Sequence, residues 1–244
     1  MNAEPDSPMP RDPDSELRIV EAVTRRPPLL WHPDPLTPCA DLILARDPQH
    51  PRSEAIRALR TRLLLARDSA RHAGTIVLLS PRPAEGRSQL CAELAISFAQ
   101  LGRATLLVDA DLRHPRQHAL FSGPNLSGLA QTLRHGEPPR MHGVHGIPEM
   151  AILTSGGMPP NPLELLSGDR FEQLVMTWQR DYDFVVIDTP PVTRYSDGLA
   201  IASAARRALI VTRAPATSFA DLKEMTRHLA AAPMHVVGAV INKF

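Results

Sequence analysis

The residues with the clearest potential for chemistry lie between positions 78 and 88, where the sequence reads LLSPRPAEGRS. This segment resembles the phosphate-binding pattern G-x-x-x-x-G-K-[ST], in which backbone N–H groups of a turn and of the following helix converge on phosphate oxygens. Gly86 permits the close approach of backbone to phosphate, and the hydroxyl of Ser88 stands where such loops place a magnesium ligand. Pro81 replaces the first glycine of the pattern, and Arg87 replaces its lysine. The segment predicts a nucleotide-binding loop.

Arg87 leaves open what the loop does with a nucleotide. Lysine presents a compact charge that sits between β- and γ-phosphates, whereas arginine is longer and planar and donates hydrogen bonds as a fork. Either the loop is reshaped to admit the guanidinium of Arg87, or the loop binds nucleotide and transfers phosphate poorly. Both alternatives keep nucleotide binding.

Three aspartates follow apolar runs elsewhere in the chain. Asp109 and Asp188 each end a β-rich run, and Asp111 lies two residues beyond the first of them. Because the carboxyl ends of parallel strands surround the ligand crevice of open α/β sheets, we expect these carboxylates to converge with Ser88. One hydroxyl and one or two carboxylates beside phosphate oxygens suffice for Mg²⁺, which keeps several waters. The alternative is that the aspartates cap helix N-termini, but their joint position beside a phosphate loop favours the site.

The elements that must position these residues alternate short apolar runs with longer helical ones, which predicts an α/β fold with a mostly parallel sheet. The continuous apolar run Phe184–Ile187 indicates a strand buried on both faces, so helices should flank the sheet on each side. His135, His142 and His145 fall in a Gly/Pro-rich segment, which we interpret as a solvated loop rather than a metal site. The predicted strands are 75–80, 105–109, 150–154, 184–188, 209–213 and 236–242, and the predicted helices are 53–70, 88–101, 126–134, 162–179, 197–205 and 219–231.

The N-terminal segment differs in composition from the rest of the chain. Eleven of the 25 prolines precede residue 52, and only the patch Ser15–Thr24 has helical character. We therefore predict an extended or disordered arm over residues 1–51 and one folded domain over residues 52–244. The helix at the start of that domain is amphipathic, with a basic face.

The overall composition argues against several classes of protein. The 27 basic and 26 acidic residues give a net charge of +1, so no global field points to nucleic acid or acidic lipid. The two cysteines are too few for a disulfide framework, which fits a reducing compartment. No apolar run reaches the roughly 18 residues of a membrane span, and the N-terminus lacks the order of a signal peptide. These features predict a cytoplasmic protein.

Several motifs together resemble the bacterial tyrosine kinases (BY-kinases) and their relatives in polysaccharide chain-length control. That family has a variant Walker A loop, a Walker A′ strand of the form apolar-apolar-Asp-x-Asp-x-Arg and a Walker B strand ending in Asp-x-Pro, which correspond to residues 83–88, 107–113 and 186–191. Its E-x-x-R-x-x-R helix matches Glu54, Arg57 and Arg60, and its S-G-x-x-P-P-N-P-x-E-L-L segment matches residues 155–166. The resemblance runs from about residue 53 to residue 244 and is greatest to the EpsG-type kinases of exopolysaccharide operons.

The resemblance implies a P-loop NTPase-like fold and transfer of the γ-phosphoryl group of ATP to a tyrosine hydroxyl. By position, Asp109 would take the tyrosine proton, with Asp111 and Arg87 completing the catalytic set. Ser88, Asp111 and Asp188 would hold Mg²⁺. Arg82 stands where related partition and septum-site ATPases carry a signature lysine, and Asn242 matches an asparagine that contacts adenine. The implied nucleotide contacts are Arg82, Ala84, Glu85, Gly86, Arg87, Ser88, Gln89 and Asn242.

The resemblance also implies partners. Glu54, Arg57 and Arg60 would make subunit contacts in a ring-like homo-oligomer, and an inner-membrane polysaccharide chain-length determinant would hold the chain at the inner face of the membrane. One alternative is a catalytically weak nucleotide-binding partner of that membrane protein, acting through ATP-dependent oligomerisation. Another is a partition-type ATPase, against which Arg82 and the Pro-Pro-Asn-Pro segment argue. The tyrosines are Tyr182, expected to be a packing residue, and Tyr195, expected near the site.

Overall fold

The apolar runs of the sequence build the central sheet. The computed structural model describes residues 30–31, 34–66, 74–230 and 232–243; the patch Ser15–Thr24 and the end of the helix predicted over 53–70 lie outside this range. The strands are β1 (Leu30–Trp31), β2 (Thr75–Leu79), β3 (Thr105–Asp109), β4 (Arg140–Val144), β5 (Ile147–Leu153), β6 (Phe184–Asp188), β7 (Arg207–Arg213) and β8 (His235–Asn242). Within the described residues they form one eight-stranded sheet in the order β1-β4-β5-β3-β6-β2-β7-β8. Each neighbouring pair is parallel except β4 and β5.

Helices cover both faces of this sheet, as the doubly buried strands required. The side chains of Ile76 and Leu78 enter one apolar cluster, whereas those of Val77 and Leu79 enter the other. This alternation follows from the two-residue period of a strand, and it confirms the predicted α/β architecture. The helices are α1 (Ile43–Arg46), α2 (Pro51–Leu65), α3 (Arg87–Ala99), α4 (Gln117–Leu120), α5 (Leu129–His135), α6 (Pro162–Leu166), α7 (Asp169–Asp181), α8 (Asp197–Ala205) and α9 (Phe219–Leu229).

Two parts of the predicted pattern are wrong in detail. The histidine-containing segment, predicted to be a solvated loop, forms the antiparallel hairpin of β4 and β5, and His142 is buried in it. The helix predicted over residues 162–179 is divided into α6 and α7 because Gly168 has extended backbone before the second helix begins. Short strands and glycine breaks carry too little periodic signal to be separated from loops or long helices.

Part of the predicted N-terminal arm belongs to the folded domain. The N–H of Leu36 donates to the carbonyl of Gly143 at 2.8 Å, and Leu42 and Leu44 are 0% exposed within the core. These apolar residues lie among prolines without a regular period, so the sequence pattern did not separate them from an extended arm. The folded part therefore includes residues 34–50, and the predicted boundary at residue 52 is too late.

We expect Leu44→Ala to lower the free energy of unfolding by about 2–3 kcal/mol, because it removes buried methyl groups and leaves a cavity in the core. Urea denaturation followed by circular dichroism measures the change. The control is Leu126→Ala, whose side chain is 87% exposed and whose loss should alter stability by no more than about 0.5 kcal/mol. Equal stability of the two variants would mean that residues 34–50 are not part of the cooperative core.

Helix α2 is fixed to helix α3 by two polar contacts. The Nε of Arg52 donates to the carboxylate of Glu93 at 3.0 Å, where Glu93 is fully buried, and the Nη1 of Arg60 donates to the carbonyl of Ser97 at 2.7 Å. Burial raises the pKa of Glu93, and the charge of Arg52 opposes that rise. None of the helices in the described part of the chain combines the length and apolarity that a membrane crossing needs.

Candidate active site

The predicted phosphate loop joins β2 to α3. Gly86, at the N-cap of α3, has φ 80°, in the left-handed region that glycine adopts without a steric penalty. Glu85 is buried and holds the loop from inside: its carboxylate accepts from the backbone N–H of Arg82 at 2.9 Å and from the hydroxyl of Thr217. These contacts fix a turn whose end is the N-terminus of α3, which is the arrangement that binds phosphate.

Ala84, in the middle of this loop, also has a positive φ of 61°. The left-handed conformation costs an L-residue with a Cβ roughly 1–2 kcal/mol, and glycine avoids that cost but loses more backbone freedom on folding. We therefore expect Ala84→Gly to raise the free energy of unfolding by about 0.5 kcal/mol. Thermal and urea denaturation measure it against Ala55→Gly, on the exposed face of α2, which should lose about 1 kcal/mol. A loss at both positions would contradict the assigned loop conformation.

The guanidinium of Arg87 points at the strand-end carboxylates. Its Nε donates to Oδ1 of Asp188 at 3.0 Å, its Nη2 to Oδ2 of Asp111 at 3.2 Å and its Nη1 to the hydroxyl of Ser80 at 2.6 Å. The side chain is 7% exposed. Neither of the two roles considered from sequence alone describes this position, because the guanidinium pairs with the residues expected to hold metal.

The structure brings the predicted carboxylates together at adjacent strand ends. Asp109 and Asp188 are direct neighbours in the register of β3 and β6. Oδ2 of Asp109 accepts from the backbone N–H groups of Arg116 and Gln117, at 3.1 and 2.9 Å, whereas its buried Oδ1 has no hydrogen-bond partner among the described residues. Asp109 thus caps the start of α4, as one sequence interpretation allowed, and keeps one oxygen available.

Burial controls the proton affinity of these groups. The pKa of Asp109 is raised well above its usual value, first by burial and then by the charge of Asp188, against the two backbone N–H donors. Burial also raises the pKa of Asp111, with Asp188 adding to the rise and Arg87 opposing it. A raised pKa makes the ionised carboxylate a stronger proton acceptor, the direction of change that favours a general base.

Gln117 is a site residue that sequence reasoning missed. Its Nε2 donates to Oδ2 of Asp188 at 2.8 Å and to the backbone carbonyl of Ser88 at 2.9 Å, so it joins the loop to the Walker B strand. Ser80 was missed in the same way. The sequence carries no signal for either, because both depend on how β2, β3 and β6 bring distant segments together.

The loop opens on a cavity of about 460 Å³. Arg116 and His114 are exposed at its wall, and the buried Asp111 also lines it. Gln89, a predicted nucleotide contact, lies in the wall with its amide donating to the carbonyl of Asp41 at 2.8 Å. The cavity therefore combines backbone donors of the loop with basic side chains, which suits phosphate.

Two other predicted nucleotide contacts lie at the opposite side of the loop. The amide of Asn242 donates to the backbone carbonyl of Glu85 at 2.7 Å, at the end of β8. Nε of Arg82 donates to Asp221 of α9 at 2.8 Å, and the Arg82 side chain is 55% exposed. Both residues support the loop, and their contacts with nucleotide stay predictions.

The donor set around Arg87 fits a divalent cation. Asp111 and Asp188 supply carboxylate oxygens and Ser88 a hydroxyl, which are the ligands that Mg²⁺ prefers. Oδ1 of Asp109, which has no hydrogen-bond partner in the described part of the chain, would add acceptor capacity for a water of that cation. These residues would hold Mg²⁺ once the guanidinium of Arg87 releases the two carboxylates.

The tyrosines occupy different environments. Tyr182 follows α7 and packs against the core, as predicted. The ring of Tyr195 lies under the guanidinium of Arg113, 4.3 Å from ring centroid to Cζ, and Arg113 in turn donates twice to the buried Asp197. The backbone N–H of Arg113 donates to Oδ1 of Asp111 at 3.2 Å, so Arg113 connects Tyr195 to the site.

The predicted subunit-contact residues have partners within the chain. Nη1 of Arg57 donates to the carbonyl of Pro48 at 2.6 Å and to Glu54 at 3.3 Å. Arg60 contacts α3 as described above, while Glu54 is exposed. Their role between subunits stays a prediction.

Comparison with known proteins places this geometry in a family. The ParA family model, described as NUBPL iron-transfer P-loop NTPase, matches residues 72–243. Tyrosine-protein kinase YwqD of Bacillus subtilis is 32% identical over 203 residues, covering 83% of this chain and 85% of that protein. Other relatives are longer: the chain spans only 26% of the tyrosine-protein kinase etk of Escherichia coli.

Solved structures agree with the sequence relatives. The kinase domain of Escherichia coli tyrosine kinase ETK matches with a TM-score of 0.79 and 29% identity, covering 83% of this chain and 79% of that one. The chimerical protein CapA2B2 matches with a TM-score of 0.75 and 32% identity, covering 88% of this chain and 93% of that one. With its Walker A, A′ and B segments meeting at one sheet edge, this chain belongs to the ParA-type P-loop NTPases and, within them, to the bacterial tyrosine kinases.

Proposed function

We propose that this chain is an ATP-dependent protein-tyrosine kinase. The observation that carries the proposal is the carboxyl of Asp109, which is buried beside the phosphate loop with a raised pKa and one oxygen that no donor of the described residues contacts. Relatives named as tyrosine-protein kinases, one of them covered over most of its length, support it. A carboxylate with one uncontacted oxygen beside a phosphate loop is what a tyrosine hydroxyl needs in order to lose its proton as it attacks.

In the proposed reaction, the tyrosine oxygen forms a bond to the γ-phosphorus of ATP. The bond between that phosphorus and the bridging oxygen breaks, ADP leaves, and Asp109 takes the phenolic proton. The backbone N–H groups of Gly86 to Ser88 hold the phosphates at the start of α3, with contacts from Ala84, Glu85 and Gln89. Mg²⁺, held by Ser88, Asp111 and Asp188, would neutralise charge on the phosphates. Arg82 and Asn242 position the loop and the adenine side of the nucleotide.

We further propose that the kinase regulates exopolysaccharide chain length, polymerisation and export together with an inner-membrane chain-length determinant. The resemblance to exopolysaccharide kinases and the match to the chimerical protein CapA2B2 support this. The chain would act in the cytoplasm at the inner face of the membrane, as a homo-oligomer with α2 at its subunit contacts, and without nucleic acid.

One observation favours a second function, a nucleotide-binding regulator with weak transfer activity. The guanidinium of Arg87 pairs with Asp111 and Asp188, the two carboxylates among the proposed metal ligands. In that role, the chain would regulate its membrane partner by oligomerising on it when ATP is bound.

Phosphotyrosine formation separates the two functions. The purified chain is incubated with ATP and Mg²⁺ and a tyrosine-containing polymer, with and without the cytoplasmic segment of the membrane partner, and phosphotyrosine and ADP are measured. Equal yields of ADP and phosphotyrosine support the kinase. ADP without phosphotyrosine, or no ADP under either condition, rejects it, and mass spectrometry of Tyr195 identifies or excludes self-modification.

A further inference from the structure

The guanidinium of Arg87 fills a three-sided socket made of Ser80, Asp111 and Asp188. Each nitrogen donates to a different residue, at 2.6, 3.2 and 3.0 Å. Asp188 is fully buried and Asp111 nearly so. An ion pair that is removed from water on both sides is retained in the structure only when its geometry is good and its other hydrogen bonds are made.

The remaining acceptors of the socket are also satisfied. Oδ1 of Asp111 accepts from the backbone N–H of His114 at 2.8 Å, and Oδ2 of Asp188 accepts from the amide of Gln117 at 2.8 Å. The hydroxyl of Ser80 donates to the carbonyl of Arg82 at 3.0 Å, so its oxygen is turned toward Arg87. The socket is therefore complete around a guanidinium.

The planar fork of arginine is what the socket requires. Nε and the two Nη atoms diverge in one plane and reach three acceptors at once, whereas a lysine ammonium is a single point on a shorter stem. The residues around Arg87 thus match the arginine that replaces lysine in this loop. The positive charge of its side chain contacts the carboxylates of Asp111 and Asp188, whereas the lysine of the usual pattern contacts the phosphates.

We propose that Arg87 is an internal counter-ion that competes with divalent metal for the carboxylates of Asp111 and Asp188. Without nucleotide, the wild-type chain binds divalent metal weakly. Nucleoside diphosphate binds to the loop with little help from Mg²⁺, because the guanidinium already neutralises these carboxylates. The inference rests on the proposed function for its nucleotide part, whereas its metal part stands on the socket alone.

Mn²⁺ binding without nucleotide tests the metal part. Electron paramagnetic resonance of free Mn²⁺ is recorded during titration of the wild type, Arg87→Gln and Arg116→Gln. Arg87→Gln should bind Mn²⁺ about tenfold more tightly than the wild type, which corresponds to about 1.4 kcal/mol of relieved competition. Arg116→Gln removes the same charge from the wall of the same cavity, where its side chain is exposed, and should bind as the wild type does. Equal Mn²⁺ affinity of the wild type and Arg87→Gln overturns the proposal.

A second variant covers the case in which Arg87→Gln does not fold. Ser80→Ala keeps the charge of Arg87 and removes its 2.6 Å contact, so the guanidinium is held less firmly. A gain of about threefold in Mn²⁺ affinity, or roughly 0.6 kcal/mol, supports the competition. An unchanged affinity in folded Ser80→Ala overturns it.

A fluorescent ADP analogue tests the nucleotide part. Its affinity for the wild type should change less than about threefold between excess Mg²⁺ and excess EDTA, whereas Arg87→Gln should gain about tenfold from Mg²⁺. Equal gains in the two proteins overturn the inference but leave nucleotide binding intact. If neither protein binds the analogue under either condition, the proposed function fails, and the Mn²⁺ titration alone decides the role of Arg87.

Discussion

Arg87→Gln should lower the free energy of unfolding by about 3–5 kcal/mol at neutral pH in the absence of divalent metal. The substitution removes the guanidinium that contacts Asp111 and Asp188 and leaves both carboxylates buried beside Asp109. Breaking a buried ion pair by removing one partner costs this much because the remaining charge is uncompensated. Urea denaturation followed by circular dichroism measures the loss.

The control is again Arg116→Gln, an exposed arginine in the same cavity, which should change stability by no more than about 0.5 kcal/mol. Excess Mg²⁺ should return part of the stability lost by Arg87→Gln, since a ligand that binds only the folded state stabilises it. If the two variants are equally stable without metal, the guanidinium is not held by the carboxylates in solution.

The pH dependence of this loss has a definite sign. Arg87 opposes the rise in the pKa of Asp111, so its removal raises that pKa further. A carboxyl whose folded pKa exceeds its unfolded value of about 3.9 binds more protons in the folded state, and stability then falls as pH rises through that interval. The difference between Arg87→Gln and the wild type should therefore shrink as the pH is lowered.

Asp109→Asn should reduce phosphoryl transfer to tyrosine by about 100-fold or more, the usual contribution of a positioned general base. Asparagine keeps an oxygen for the backbone N–H groups of Arg116 and Gln117, so the start of α4 should be preserved. Initial rates of phosphotyrosine formation at saturating ATP measure the effect. The substitution should leave the phosphate loop intact. The affinity of Asp109→Asn for the fluorescent ADP analogue should therefore stay within about threefold of the wild-type affinity.

Stability separates this catalytic effect from structural damage. Because the pKa of Asp109 is raised in the folded chain, by burial first and by Asp188 second, ionised Asp109 destabilises the fold as pH rises above about 3.9. Asparagine removes that penalty, so the variant should be at least as stable as the wild type at neutral pH. A variant with full transfer activity would eliminate Asp109 as the base; a variant that unfolds would show that its carboxylate is needed for the cap.

The positions of site residues that lie on regular strands could be predicted from the sequence. Asp109 and Asp188 could be placed at one sheet edge because their strands are continuous apolar runs, and parallel strands end together. The direction of the Arg87 side chain could not be read in the same way. It depends on Ser80, Asp111 and Asp188, three acceptors that come from separate segments.

The difference between regular local pattern and contacts with distant segments also explains the wrong predictions outside the site. Leu42 and Leu44 are fully buried although they lie between prolines. They are buried because they pack in the core cluster that includes α3, and their own spacing in the sequence does not indicate this. His142 is buried in β4, a strand of five residues whose partner β5 turns back antiparallel after a short turn. Local pattern predicts regular elements well, and it predicts poorly the residues whose environment is made by distant parts of the chain.

Helix α3 runs from the phosphate loop to the contacts with α2. Its 13 residues form a rod roughly 20 Å long, with Arg87 as the first residue and Glu93 near the middle. Arg52 and Arg60 attach α2 to this rod at two levels, the second close to its far end. Because no loop lies between these contacts and Arg87, a displacement of α2 by a neighbouring molecule would be transmitted along α3 to the guanidinium of Arg87.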